Sequence, residues 1–198
     1  MRIARKPLAS QVEEVVAAQD EEIIAATRAW LERAVIGLNL CPFAKAVHAK
    51  NQIRYVVSAA QTPEDLLAEF VAELRLLQAA DPTLVDTTLL IHPRVLDDFL
   101  DFNDFMELAE GAIAGEELEG EIQVASFHPH YQFAGTQPED IENYSNRSPY
   151  PTLHLLREAS IARAVAAIPD AREIFERNIE TLRRLGHKGW RRLGVGRV

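Results

Sequence analysis

Two periods of hydrophobic and polar positions alternate along the chain. In residues 20–37, Ile23, Thr27, Trp30, Ala34 and Leu38 recur at helical spacing, and Gly37 and Asn39 suit the helix end. Ser10 with Glu13 three residues later reads as a capping box, so a helix starts there and either breaks near Asp20 or runs on. Residues 54–58 (RYVVS) read as a short strand. Thr62-Pro63-Glu64-Asp65 then combines a cap, a proline in the first turn and acids favoured by the helix dipole. Leu67, Phe70, Leu74 and Leu77 give that helix its apolar stripe, and Asp81-Pro82 ends it. Residues 87–91 form a second strand that stops at His92-Pro93. Val95, Phe99, Phe102, Met106, Ala109 and Ile113 make a regular helical stripe, and residues 122–127 a third strand, which stops at His128-Pro129. Residues 128–151 hold four prolines and no sustained period. Two closing helices are expected: 153–167, with Thr152 as cap, and 171–185, stopped by Gly186.

The order β-α-β-α-β calls for parallel strands joined by right-handed crossovers. The expected fold is therefore α/β: a small, mostly parallel sheet with flanking helices and a long loop rich in His, Tyr and Arg. A fourth strand is sought in 131–134 or 193–198. Residues 1–19 read as an N-terminal extension or helix, and 20–198 as a single domain.

Composition narrows the setting. The chain has 198 residues, 47% of them hydrophobic, which suits a globular protein. No stretch is apolar for long enough to cross a bilayer, and no apolar segment follows the basic N-terminus as in a secretory signal. A single cysteine, Cys41, agrees with a reducing compartment, so a cytoplasmic location is expected. The net charge of -9 disfavours nucleic acid and anionic membrane as partners. Residues 95–121 carry ten acids and no Lys or Arg, whereas 183–198 carry six Lys or Arg and no acid. These blocks attract one another within a chain, or between copies in a homo-oligomer.

If the strands are parallel, Ser58, His92 and His128 share one sheet edge, roughly 5–10 Å apart. Open α/β sheets bind ligands at that edge. Pro129 extends the chain at His128, so His128 and His130 point to one side and can share a divalent metal, an anion or a water. The alternative is a structural corner whose imidazoles bond backbone groups. The long loop adds Tyr131, Phe133, Asn143, Tyr144, Arg147 and Tyr150, which suit a pocket wall or lid, or a clamp that stiffens the loop. On the expected closing helix His154 and Arg157 lie one turn apart. Arg147 and Arg157 either grip an anion or pair with Asp140, Glu142 or Glu158. Cys41 is either a thiol activated at a helix start near Lys45 or a small apolar plug.

Trp30-Leu31-Glu32, the run from Gly37 to Ala44 (GLNLCPFA), Phe127-His128-Pro129 and the run from Asn143 to Arg157 (NYSNRSPYPTLHLLR) carry a resemblance. The chain resembles an uncharacterised bacterial family catalogued as domain of unknown function 1415, over about 30–185. The resemblance implies one domain and no particular activity, cofactor or catalytic residue.

The leading expectation is an enzyme acting on a small anionic metabolite. In it His128 or His130 serves as acid/base, Cys41 as a nucleophile if it reaches the pocket, and Arg147 and Arg157 hold the anion. His92, His154, Asn143 and Tyr144 support the site. The alternatives are a metal-dependent hydrolase with His128 and His130 as ligands, a non-catalytic protein binding a metabolite or a protein partner, and an assembly protein.

Overall fold

A computed structural model of the chain describes residues 8–166 and 172–196. Helix α1 (Leu8–Trp30) runs without a break into a π-helical segment, Leu31–Ile36. The capping box read at Ser10 and Glu13 rests on side chains outside those described. A short helix α2 (Ala44–Ala49) leads into strand β1 (Ile53–Val57). Helix α3 (Pro63–Ala79) starts where its signal lies, with Thr62 Oγ1 accepting from the Asp65 N–H at 3.2 Å and Pro63 in the first turn. Strand β2 (Thr87–Ile91), helix α4 (Phe99–Gly115) and strand β3 (Ile122–Phe127) follow. Asp98, which accepts from the Leu100 and Asp101 N–H groups, caps α4.

The last third departs from expectation. Residues 153–157 do not open a helix; they belong to strand β4 (Thr152–Arg157), with α5 (Glu158–Val165) after it. Thr152 caps nothing and lies fully buried in the strand. Leu153 and Leu155 face one core while Thr152, His154 and Leu156 face the other, a period of two that neighbouring strands enforce. Of the two segments proposed for a fourth strand, 131–134 is loop and the described part of 193–198 is not strand. The closing segment α6 (Arg172–Arg192) is two helical stretches that meet at a kink, Gly186, whose φ of 62° and ψ of 170° are not helical; the first stretch stops there as expected, and the second runs on to Arg192.

The sheet order is β1-β2-β4-β3. Only β1 and β2 are parallel neighbours; β4 is antiparallel to both β2 and β3, so the sheet is mixed, not mostly parallel. The physical reason is the return path. The connection after β3 runs along the edge where β2 and β3 end, and β4 enters from that edge into the gap between them. Backbone bonds mark the route: the His128 N–H donates to the Asn146 carbonyl at 3.1 Å, and the His92 N–H to the Pro151 carbonyl at 3.0 Å. Since β4 opposes both neighbours, β1, β2 and β3 still point the same way.

Each face of the sheet has its own core. On one, Leu90, Ile122, Leu153 and Leu155 pack under Leu66, Phe70 and Leu74 of α3 and Phe102, Phe105 and Ala109 of α4. On the other, Ile53, Tyr55 and Phe127 pack against Trp30, Ala34, Leu182 and Trp190. Acidic α4 thus covers one face and basic α6 the other. Among the described residues no helix is long and apolar enough to cross a membrane.

Candidate functional site

His92 and His128 do lie at one rim, because β2 and β3 end there, but both are fully buried. They stack on the same ring, Phe102 of α4, at centroid distances of 5.4 and 5.1 Å. A carbonyl can only accept, so His92 Nδ1, 3.0 Å from the Val95 carbonyl, carries the ring proton. Its Nε2 is buried without a partner. Burial pulls His92 down to about 4, and the neighbouring His128 adds to the effect. His128 Nε2 faces the Leu96 carbonyl at 3.2 Å, and its Nδ1 accepts from the His130 N–H at 3.1 Å. Leu96 holds a positive φ of 58°, a strained placement for a branched side chain. With both nitrogens of His128 engaged, the pair His128 and His130 lacks the lone pairs that shared metal ligation requires. Among the described residues no three His, Cys, Asp or Glu side chains stand close enough to hold a metal.

The arginines are also occupied. Arg157 donates to the Leu77 and Ala80 carbonyls, the latter at 2.8 Å, and so satisfies the end of α3. In a strand, positions 154 and 157 fall on opposite faces, not on one helical face. Arg147 stacks on Tyr144 at 4.4 Å and donates to the Tyr131 and Pro138 carbonyls. Asn143 is fully buried and ties the loop together: Oδ1 accepts from the Phe133 N–H and the Thr136 hydroxyl, and Nδ2 donates to the Gln137 carbonyl. Residues 128–151 are thus stapled by their own side chains around a 3-10 turn, Ile141–Ser145.

The opposite face holds a cavity of about 450 Å³. Trp30 and the π-helical Leu31 and Val35 form one wall, Cys41, Phe43 and Val47 a second, and Ile53, Leu89, Phe127 and His154 the sheet floor. Ser160 and Arg163 of α5 close another side. π segments inside helices recur at functional sites because they bulge the backbone. Here Gly37 permits the bulge to close, since a Cβ there would sit 2.3 Å from the Arg33 carbonyl oxygen. The apolar walls contrast with a small polar set. Among the described residues the lining cations are Lys50, Arg157 and Arg163, against one carboxylate, Asp86. Lys50 and Arg163 are exposed and stand at the mouth. The Ser160 hydroxyl donates to Asp86 at 2.6 Å and accepts from Arg163 at 2.9 Å.

His154 is the one predicted histidine on this floor. It lies deep in the molecule, yet its ring keeps access to the cavity. Burial pulls it down to about 4, so it is neutral. Cys41 is partly buried in the same lining; burial pushes its thiol up, only partly opposed by hydrogen bonds from the Phe43 and Ala44 backbone. That is the reverse of the lowered value an activated nucleophile at a helix start needs. His92, His128 and His154 therefore do not converge: the first two lie under α4 and the third on the cavity floor across the sheet, next to Phe127. Lys50, Asp86, Thr87, Ser160 and Arg163 carry no sequence signal beyond their polarity, and Trp30 reads as core packing alone.

No curated protein and no solved structure matches the chain. A family model described as protein of unknown function (DUF1415) matches residues 22–192. That match spans most of the chain, and the chain belongs to the DUF1415 family.

Proposed function

We propose that the chain binds a small anionic molecule with an apolar body in the cavity between the π-helical segment, the sheet and α5. The observation that carries this reading is the excess of cations in the lining. Among the described residues Lys50, Arg157 and Arg163 stand against Asp86, in a chain whose net charge is -9. The apolar part of the ligand packs on Trp30, Leu89 and Phe127, and its anionic group meets Lys50 and Arg163 at the mouth. Binding, not turnover, is the better supported activity: His92, His128, Arg147 and Arg157 are engaged by the protein's own backbone, and Cys41 is held as a thiol.

Decanoate and decylamine have similar apolar bodies and opposite charges. Decanoate is expected to raise the melting temperature and to change Trp30 fluorescence, with a Trp190→Phe variant isolating that signal. Decylamine is expected to do neither. Lys50→Glu with Arg163→Glu should weaken decanoate about tenfold or more, by reversing the charge at the mouth. Equal effects of the two probes, or none from either, would reject the reading.

A second reading is favoured by the placement of acidic α4 and basic α6 on opposite faces of the sheet, where they cannot neutralise each other within one molecule. Copies of the chain then associate, α4 of one against Arg184, Lys188, Arg191 and Arg192 of the next. Light scattering at low and high salt tests this: a monomer at every ionic strength removes it.

A further inference from the structure

Thr87 has one hydroxyl proton and two close partners. Its Oγ1 lies 2.6 Å from the Leu155 carbonyl oxygen and 2.7 Å from His154 Nε2. A carbonyl cannot donate, so the Thr87 proton goes to Leu155, and Oγ1 must accept from His154. This assigns the ring tautomer: Nε2 carries the proton and Nδ1 carries the lone pair. No described residue donates to Nδ1, and the atom is not fully enclosed, so the cavity is what it can reach. Around it the walls are hydrocarbon and aromatic, with the Phe127 ring centroid 6.0 Å from that of His154.

We infer that the molecule this cavity selects carries a hydrogen-bond donor, a hydroxyl or an N–H, at the end remote from its anionic group, and that His154 Nδ1 accepts from it. The inference rests on the binding reading above and specifies its ligand class: hydroxylated or N–H-bearing aliphatic and aromatic acids. An apolar end placed there displaces water from the imidazole and leaves an acceptor unsatisfied, which disfavours the plain acid. A donor end restores the bond. Because Thr87 itself is anchored to Leu155, the ring cannot turn its proton toward the ligand without breaking the Thr87 contact, so the preference has a fixed sign.

Two probe pairs test it by calorimetry: decanoate against decanoate hydroxylated on its terminal carbon, and phenylpropanoate against para-hydroxyphenylpropanoate. In the native protein the hydroxylated member of at least one pair is expected to bind about 10–100-fold more tightly than its partner. In His154→Phe, which keeps a flat ring and removes the acceptor, that ratio is expected to fall to about one. Nitrogen-15 NMR of the native protein reads the tautomer independently of any variant's folding, with a pyridine-like Nδ1 and a pyrrole-like Nε2 expected. A protonated Nδ1 overturns the inference. So does equal binding within both pairs, which leaves the binding reading standing; failure of all four acids to bind overturns both.

Discussion

Thr87 and His154 form a fixed donor–acceptor pair across neighbouring strands, Oγ1 to Nε2 at 2.7 Å, two residues out of register with each other. The pair holds a neutral imidazole at the floor of a cavity in the middle of the sheet. Thr87→Val keeps the shape and removes the acceptor, leaving a buried ring N–H unpaired. It should cost about 1–3 kcal/mol in urea denaturation, whereas Thr87→Ser should stay close to the native value. A harmless valine would mean that the ring finds another partner.

The depressed histidines make stability pH-dependent in a defined direction. His92 and His154 are held at about 4 by burial, against 6.5 for an unperturbed imidazole. Folded, both are neutral at slightly acidic pH; unfolded, each takes up a proton below about 6.5. The stabilising difference is complete above pH 6.5 and is lost as the pH falls from there toward 4. The slope approaches about 1.4 kcal/mol per pH unit for each histidine. Denaturation midpoints should change little from about pH 7.5 to 7 and then fall from about pH 6.5 to 5, above most carboxylate titration; a flat profile through that lower range would contradict buried neutral rings.

Arg157 serves as a helix terminator reached from a strand. Its contacts with Leu77 and Ala80 complete the end of α3, where among the described residues the Leu77 carbonyl otherwise has only the Ala80 N–H at 3.3 Å. Arg157→Met should destabilise the fold by about 2–4 kcal/mol, since several buried acceptors lose a charged donor. If its role is structural, decanoate affinity per folded molecule should change little. A large loss of affinity at native stability would instead make it a ligand contact.

Asn143 holds the rim loop through three hydrogen bonds. Asn143→Ala should cost about 1–3 kcal/mol and open the segment between Phe133 and Arg147 to proteolysis. Unchanged cleavage there would show that the stacked Tyr131, Phe133 and Arg147 suffice to hold it.

The mouth of the cavity offers a separation of charge from packing. Lys50→Gln should lower decanoate affinity by severalfold and leave decanol binding unchanged, as read by displacement of a fluorescent apolar probe. Equal losses for both would place Lys50 in the packing and not in anion recognition.

Much of this architecture was legible in local patterns. The cap at Thr62 with Pro63, the β-branched run 87–91 ending at His92-Pro93, and the strand 122–127 are short-range signals that no distant contact overrides. They also sufficed to bring His92 and His128 to one rim. What those imidazoles do there was not legible, because it depends on α4 lying over them and on carbonyls at Val95 and Leu96 turning toward the rings. Residues 152–157 are the clearest case. Leu153, Leu156 and Arg157 fit a helix as well as Leu153 and Leu155 fit a strand, and only the open edges of β2 and β3 choose between them. With that choice His154 moves from a helix surface to the sheet floor. The sequence by itself determined the α/β class, the elements from β1 to β3 and the residue types available for chemistry. The tertiary structure decided which nitrogens keep a lone pair and where the cavity lies, because hydrogen-bond pairing and burial are set by neighbours far along the chain.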